Sequence, residues 1–149
     1  MENSSGKPVT VVIGAGPGLG ASLARRFAAT YAVAILARNA DYLKGLASEI
    51  RKSGATVLDI ACDVSDGTQI AQAFRAIRKN LVEPEVLLYN AGSGTFGSIT
   101  EITADQYEAD WRVNALGAFV AAKEVAPGMI ARARAVLLSR QRGERAALV

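Results

Sequence analysis

The stretch that most constrains this chain is Val9-Thr10-Val11-Val12-Ile13-Gly14-Ala15-Gly16-Pro17-Gly18-Leu19-Gly20, a β-branched run that breaks into glycines and then opens an amphipathic helix. β-branched residues favour an extended strand, and glycines permit the sharp turn and close backbone approach that must follow. The first amides of the new helix lack intrahelical partners and the helix dipole adds positive potential there, so the turn is a phosphate cradle in outline. A dinucleotide is the ligand such a cradle suits. The Gly-x-Gly-x-x-Gly spacing is absent, because the sixth position from Gly14 is Leu19; the spacing present is Gly14-x-x-x-Gly18-x-Gly20.

Downstream, apolar periodicity alternates between strand and helix. A helix is expected over 18–29, with Leu19, Leu23 and Phe27 at four-residue steps and Ala24 and Ala28 filling the same side. The run 32–37 is apolar without alternation, as a parallel strand covered on both faces requires, and ends at Arg38-Asn39. A second helix opens near Asp41 and carries Leu43, Leu46, Ala47 and Ile50 on one face. A third strand over 56–62 leads into Asp63-Val64-Ser65-Asp66, a loop that caps a helix bearing Ile70, Phe74, Ile77 and Leu81. A fourth strand, Val86-Leu87-Leu88-Tyr89, delivers Asn90-Ala91-Gly92 into a loop. A long helix is expected over 104–126, broken by Pro127-Gly128, and 135–138 offers a fifth strand.

Strands joined by crossovers of this length form a Rossmann-type α/β fold, a doubly wound parallel sheet, here with five strands. The boundaries follow: 1–8 a disordered lead, 9–138 the sheet domain, and 139–149 an irregular basic tail. In such sheets ligands bind beyond the carboxyl ends of the strands, where the strand order reverses. Gly14 to Gly20, Arg38, Asp63 and Asn90 to Gly92 all fall at those ends.

The net charge of +3 belongs to the tail, since residues 1–131 carry 12 basic and 13 acidic side chains, whereas 132–149 carry five arginines against Glu144 alone. No aromatic residue interleaves those arginines, so nucleic acid is not an expected partner. No apolar run approaches the roughly 18 residues of a membrane span, and the polar stretch 1–7 lacks a signal-peptide core, which predicts a cytoplasmic protein without membrane attachment. Cys62 is the only cysteine and histidine is absent, so neither a disulfide within the chain nor a thiolate or imidazole metal cluster is expected. Cys62 and Trp111 are read as packing residues.

The glycine spacing, Asp63-Val64 after the third strand, Tyr89-Asn90-Ala91-Gly92 after the fourth, and Asn114 in the long helix together resemble the first half of a short-chain dehydrogenase/reductase, over residues 9 to about 138. The resemblance implies an oxidoreductase acting between carbonyls and alcohols with a nicotinamide cofactor. It implies that the loop containing Gly14, Gly16, Pro17, Gly18, Leu19 and Gly20 holds the pyrophosphate. Asp63 and Val64 would hold the adenine, and Asn90, Ala91 and Gly92 would line the wall beside the adenosine ribose and the nicotinamide. Asn114 belongs to the catalytic set that the resemblance implies, with Ser139 a weaker candidate for its serine. Tyr89 departs from the pattern, which more often has asparagine there.

Charge argues for the choice of cofactor. An NAD site of this type carries an acid near the end of the second strand, whereas Leu36-Ala37-Arg38-Asn39 carries none and offers a guanidinium that suits a 2′-phosphate. NADP is therefore expected over NAD. The proton-transfer pair Tyr-x-x-x-Lys implied by the resemblance is missing: the residues four after Tyr31, Tyr42, Tyr89 and Tyr107 are Ile35, Leu46, Ser93 and Trp111. The expectation is a truncated, inactive relative, or a chain whose basic end is a shifted reading frame. The alternative is a non-catalytic module that binds nucleotide or pairs with itself or a full-length relative. The substrate is not legible.

Overall fold

The computed structural model describes residues 6–134, 136–141 and 144–148. Strands β1 (Val9–Ile13), β2 (Ala32–Ala37), β3 (Val57–Ala61), β4 (Val86–Tyr89), β5 (Val136–Gln141) and β6 (Glu144–Leu148) form one sheet in the order β3-β2-β1-β4-β5-β6. The first five are parallel, and β6 returns antiparallel to β5. Helices α1 (Leu19–Ala28), α2 (Ala40–Arg51), α3 (Gly67–Asn80), α4 (Ala104–Trp111) and α5 (Gly117–Ala131) connect them, with a π-helical turn, Arg112–Leu116, between α4 and α5.

β1 lies inside the sheet between β2 and β4, and all five of its residues are buried. Val9, Val11 and Ile13 pack on one face with Phe74, Ile77, Val125 and Met129 of α3 and α5. Val12 faces the opposite layer, with Ala24, Leu43 and Ile50 of α1 and α2. Two covered faces explain why β1 and β2 are continuously apolar. The winding reverses between β1 and β4, which places the switch point of the fold at their carboxyl ends.

Sequence periodicity placed most of the inner side of α1, since Ala24 and Ala28 are buried and Leu23 and Phe27 pack against the core, but it misjudged Leu19. Leu19 is 45% exposed, and Gly20 and Ala21 are buried beside Ala24 and Ala28, small residues that let the helix backbone come close to the sheet. Trp111, expected to pack, is 47% exposed on α4. The expected single helix over 104–126 is divided by the π turn, and Pro127 does not end it: α5 continues to Ala131. Burial outweighs proline here, since Ala121, Val125 and Met129 form one buried stripe across it.

The tail also differs from expectation. β5 extends to Gln141, and the backbone comes back as β6, pairing Gln141 with Glu144 and Leu137 with Leu148. A fifth strand ending the sheet would leave its outer amides and carbonyls unpaired, and the hairpin satisfies them. The sheet thus has six strands rather than five. Of the lead 1–8, residues 1–5 lie outside the described residues, and Pro8 already joins the sheet, its carbonyl accepting from the Ala32 amide at 2.9 Å. Among the described residues no helix is long and apolar enough to cross a membrane.

Candidate functional site

The glycine loop is built from two kinds of glycine. Gly14 leaves β1 with φ 81°, and a Cβ placed on it would stand 2.4 Å from the Ala91 amide nitrogen. A Cβ on Gly20 would stand 2.1 Å from the Gly14 carbonyl oxygen. Both positions are glycine because the fold leaves no room. Gly16 and Gly18 are different: a Cβ on either would meet nothing within 4 Å. α1 opens at Gly18 with no side-chain cap and no acid in its first turn, so its free amides and dipole are left to whatever enters from outside.

That loop borders a crevice of about 620 Å³ beyond the ends of β1 to β4, lined by Gly14, Gly16, Ala37, Arg38, Asn39, Cys62, Asp63, Val64, Asn90, Ala91, Gly92, Ser93 and Val113. Most of the residues singled out from the sequence converge here. Pro17, Gly18 and Leu19 are exposed and Gly20 is buried, none of them in the lining. Arg38 is exposed at the end of β2, with no ion pair to another described residue. The Asp63 carboxylate accepts from the Ser65 amide at 2.9 Å and the Ser65 hydroxyl at 2.8 Å, which holds its carboxyl below the usual carboxylate range, with Arg38 adding a smaller pull. The α3 cap is Asp66, which accepts from the Thr68 and Gln69 amides. Cys62 is buried, and burial, followed by the charges of Asp63 and Asp66, pushes its thiol up to about 11.

The end of β4 is tied in two directions. Asn90 donates its Nδ2 to the Gly14 carbonyl at 3.0 Å, and its buried Oδ1 has no partner among the described residues. Asn114 reaches back from the π turn, donating Nδ2 to the Ser93 carbonyl at 2.8 Å and accepting from the Ser93 amide at 3.0 Å through Oδ1. Asn114 thus clamps the loop that lines the crevice. Ser139 stands in β5 in register with Tyr89; its side chain lies outside the described residues.

Sequence reasoning missed the groups that support this clamp. The Asp110 carboxylate accepts from the Ser93 hydroxyl at 2.7 Å and the Thr95 amide at 2.6 Å, both of which hold its pKa down. The Tyr89 hydroxyl donates to the Val113 carbonyl, and burial pushes its phenol up. Only the departure at Tyr89 hinted at this arrangement, since no spacing rule links a strand end to a helix 24 residues away.

The family model for short chain dehydrogenase matches residues 8–143. The chain belongs to that family. Among curated short-chain dehydrogenase relatives, it is 36% identical over 105 residues to meso-2,3-butanediol dehydrogenase of Serratia marcescens, covering 70% of this chain and 39% of that one. A metagenomic short-chain oxidoreductase solved with NADP is 30% identical, with a TM-score of 0.84, covering 89% of this chain and 61% of the other. L-sorbose reductase of Gluconobacter frateurii, solved with NADPH and L-sorbose, is 26% identical with a TM-score of 0.84, covering 89% and 51%. The chain spans about half the length of the curated relatives it matches.

Proposed function

We propose that this short-chain dehydrogenase chain is the cofactor-holding part of an NADP(H)-dependent oxidoreductase acting between carbonyls and alcohols, and that the crevice takes the dinucleotide. One observation carries the reading: Gly16 faces open space beside an uncapped helix start, although neither packing nor a left-handed φ requires glycine there, whereas Gly18, equally open, is held to glycine by its φ of 94°. A bare backbone there serves a pyrophosphate, which needs amide donors and close approach. The bound cofactor would supply the hydride; the chain's own work is to bind, orient and discriminate.

Each residue has a part in that work. The Gly14–Gly20 loop and the first amides of α1 hold the pyrophosphate. Arg38, exposed at the end of β2 and in no close ion pair with a described residue, although the Asp63 carboxylate shares the crevice with it, selects the 2′-phosphate. Asp63 and Val64 border the adenine, with the Asp63 carboxylate kept charged by Ser65. Asn90, Ala91 and Gly92 line the wall toward the nicotinamide, where the free Asn90 Oδ1 is a ready acceptor. Asn114 holds that wall. With no Tyr-x-x-x-Lys in its 149 residues, the chain by itself binds without turnover. Calorimetric titration with NADPH and NADH tests the reading: saturable NADPH binding with weaker NADH binding supports it, and no binding of either overturns it.

A second reading, a module that pairs with another copy or a full-length relative, draws on the exposed apolar side chains Tyr107 and Trp111 on α4 and Phe119 and Ile130 on α5. Sedimentation of the purified chain decides it, a monomer at micromolar concentration counting against pairing with itself.

A further inference from the structure

Tyr89 ends β4, is 3% exposed, and is the one phenol buried against the crevice wall among the described residues. Its hydroxyl donates to the Val113 carbonyl, 24 residues on. That carbonyl is free for a definite reason. In an α-helix it would accept from the amide of Gly117, four residues later, but Gly117 donates to the Arg112 carbonyl, five residues back. The π turn thus releases one backbone acceptor into the interior, and the Tyr89 hydroxyl takes it.

Gly117 is matched to this arrangement. A Cβ there would stand 2.5 Å from the Tyr89 hydroxyl oxygen and 2.6 Å from the Val64 carbonyl oxygen, so only glycine lets the helix sit over the phenol. The consequence lies one residue further along the turn. A π turn inserts one extra residue into a helix, and each residue is worth roughly 100° of rotation about the axis. Converting it to α-helix would swing the side chains on its N-terminal side out of their present directions. Asn114, inside the turn, makes its two hydrogen bonds to the Ser93 backbone in the present phase. Ser93 and Val113 both line the crevice.

We propose that Tyr89 is a positioning residue: by holding the Val113 carbonyl, its hydroxyl fixes the π turn that directs Asn114 onto Ser93 and thereby sets the crevice wall. The effect on ligand depends on the nucleotide reading above; the effect on the wall does not. Tyr89 acts through Val113 and Asn114, and needs no contact with the ligand.

The test uses the full chain as wild type, Tyr89→Phe, Asn114→Ala and the double variant, followed by amide hydrogen exchange and NADPH titration. Phenylalanine keeps the ring and removes the hydroxyl. In Tyr89→Phe the Ser93 and Gly117 amides should exchange about tenfold faster, as loss of a buried hydrogen bond warrants, while β1 and α2 amides stay at wild-type rates. NADPH should protect Ser93 in the wild type and fail to do so in Tyr89→Phe. The double variant should bind NADPH no more weakly than Asn114→Ala alone, because both act through one clamp. Unchanged Ser93 exchange in Tyr89→Phe, or uniform acceleration of all amides, overturns the proposal. If wild type binds no NADPH, the nucleotide reading fails, and the exchange arm still decides the role of Tyr89. Should Tyr89→Phe not fold, the wild-type hydroxyl proton decides by NMR: a proton exchanging slowly with water and close to the Val113 carbonyl supports the proposal, and one in fast exchange overturns it.

Discussion

The Asn90 side chain donates to the Gly14 carbonyl at 3.0 Å, joining two residues 76 positions apart at the switch point of the sheet. The Asn90 amide also donates to the Ile13 carbonyl at 2.8 Å, so the exit of β4 is bound twice to the exit of β1. The glycine loop and the loop after β4 therefore behave as one body. On the proposed reading, a ligand phosphate held by the first would stand at a fixed distance from the wall formed by the second.

Four alanine substitutions should separate folding from binding within the loop. Gly14→Ala forces a Cβ against Ala91 at a residue with φ 81°, combining left-handed strain with overpacking. The sum is about 3 kcal/mol of lost stability. Gly20→Ala, blocked by the Gly14 carbonyl, should lose a similar amount. Gly16→Ala meets open space at ordinary φ, so thermal unfolding should stay near wild type while NADPH affinity falls. Gly18→Ala also meets open space, yet its φ of 94° should cost about 1 kcal/mol or more besides. A Gly16→Ala chain that binds NADPH as wild type does would remove the main support for the cradle.

The proposed role of Arg38 in choosing between the cofactors can be tested by reversing its charge. In Arg38→Glu a carboxylate would stand where the 2′-phosphate is expected, exchanging attraction for repulsion. NADPH affinity should fall on the order of tenfold or more, with little change or a gain for NADH, since an acid there accepts ribose hydroxyls. Equal losses for both nucleotides, measured by calorimetry, would take Arg38 out of the phosphate site.

How much of this was legible in the sequence depended on whether the determining contact was local. The continuous apolar runs of β1 and β2 and the periodic faces Leu43–Ile50 of α2 and Ile70–Ile77 of α3 are local patterns, and they appear in the structure as expected. The crevice was legible because a parallel sheet brings all its strand ends to one edge. Leu19 misled because helical spacing identifies an apolar stripe without saying how close the helix must come, and here small residues settle that. The π turn was illegible because it is matched by Tyr89 and Gly117, which only the folded chain brings together. Pro127 and the β5–β6 pairing are likewise tertiary outcomes that override local breaking signals.

Cys62 should be chemically quiet. Burial pushes its thiol up to about 11, so at pH 8 roughly one molecule in a thousand carries the reactive thiolate. Labelling by a chromogenic disulfide at pH 8 should be at least about a hundredfold slower than in denaturant, and NADPH should slow it further because Cys62 lines the crevice. Full labelling within seconds in the native chain would contradict this environment.

Acid should destabilise the chain through its hydrogen-bonded aspartates. Asp66 accepts from the Thr68 amide and the Gln69 side chain and amide, and Asp63 accepts from Ser65; both carboxyls are held below 3.8, their ordinary value. A carboxyl whose native pKa lies below its unfolded pKa contributes its full stability above the unfolded value and loses it as pH falls through the native one. The unfolding temperature should therefore be flat with respect to these groups from pH 7 to about 5 and decline below about pH 4. Asp66→Asn separates charge from capping, because asparagine is an equally good cap for the first turn of α3 but does not titrate. Its acid decline should be shallower than that of wild type, whereas Asp66→Ala should unfold at a lower temperature throughout. Identical acid limbs for wild type and Asp66→Asn, followed by circular dichroism, would assign the decline to other groups.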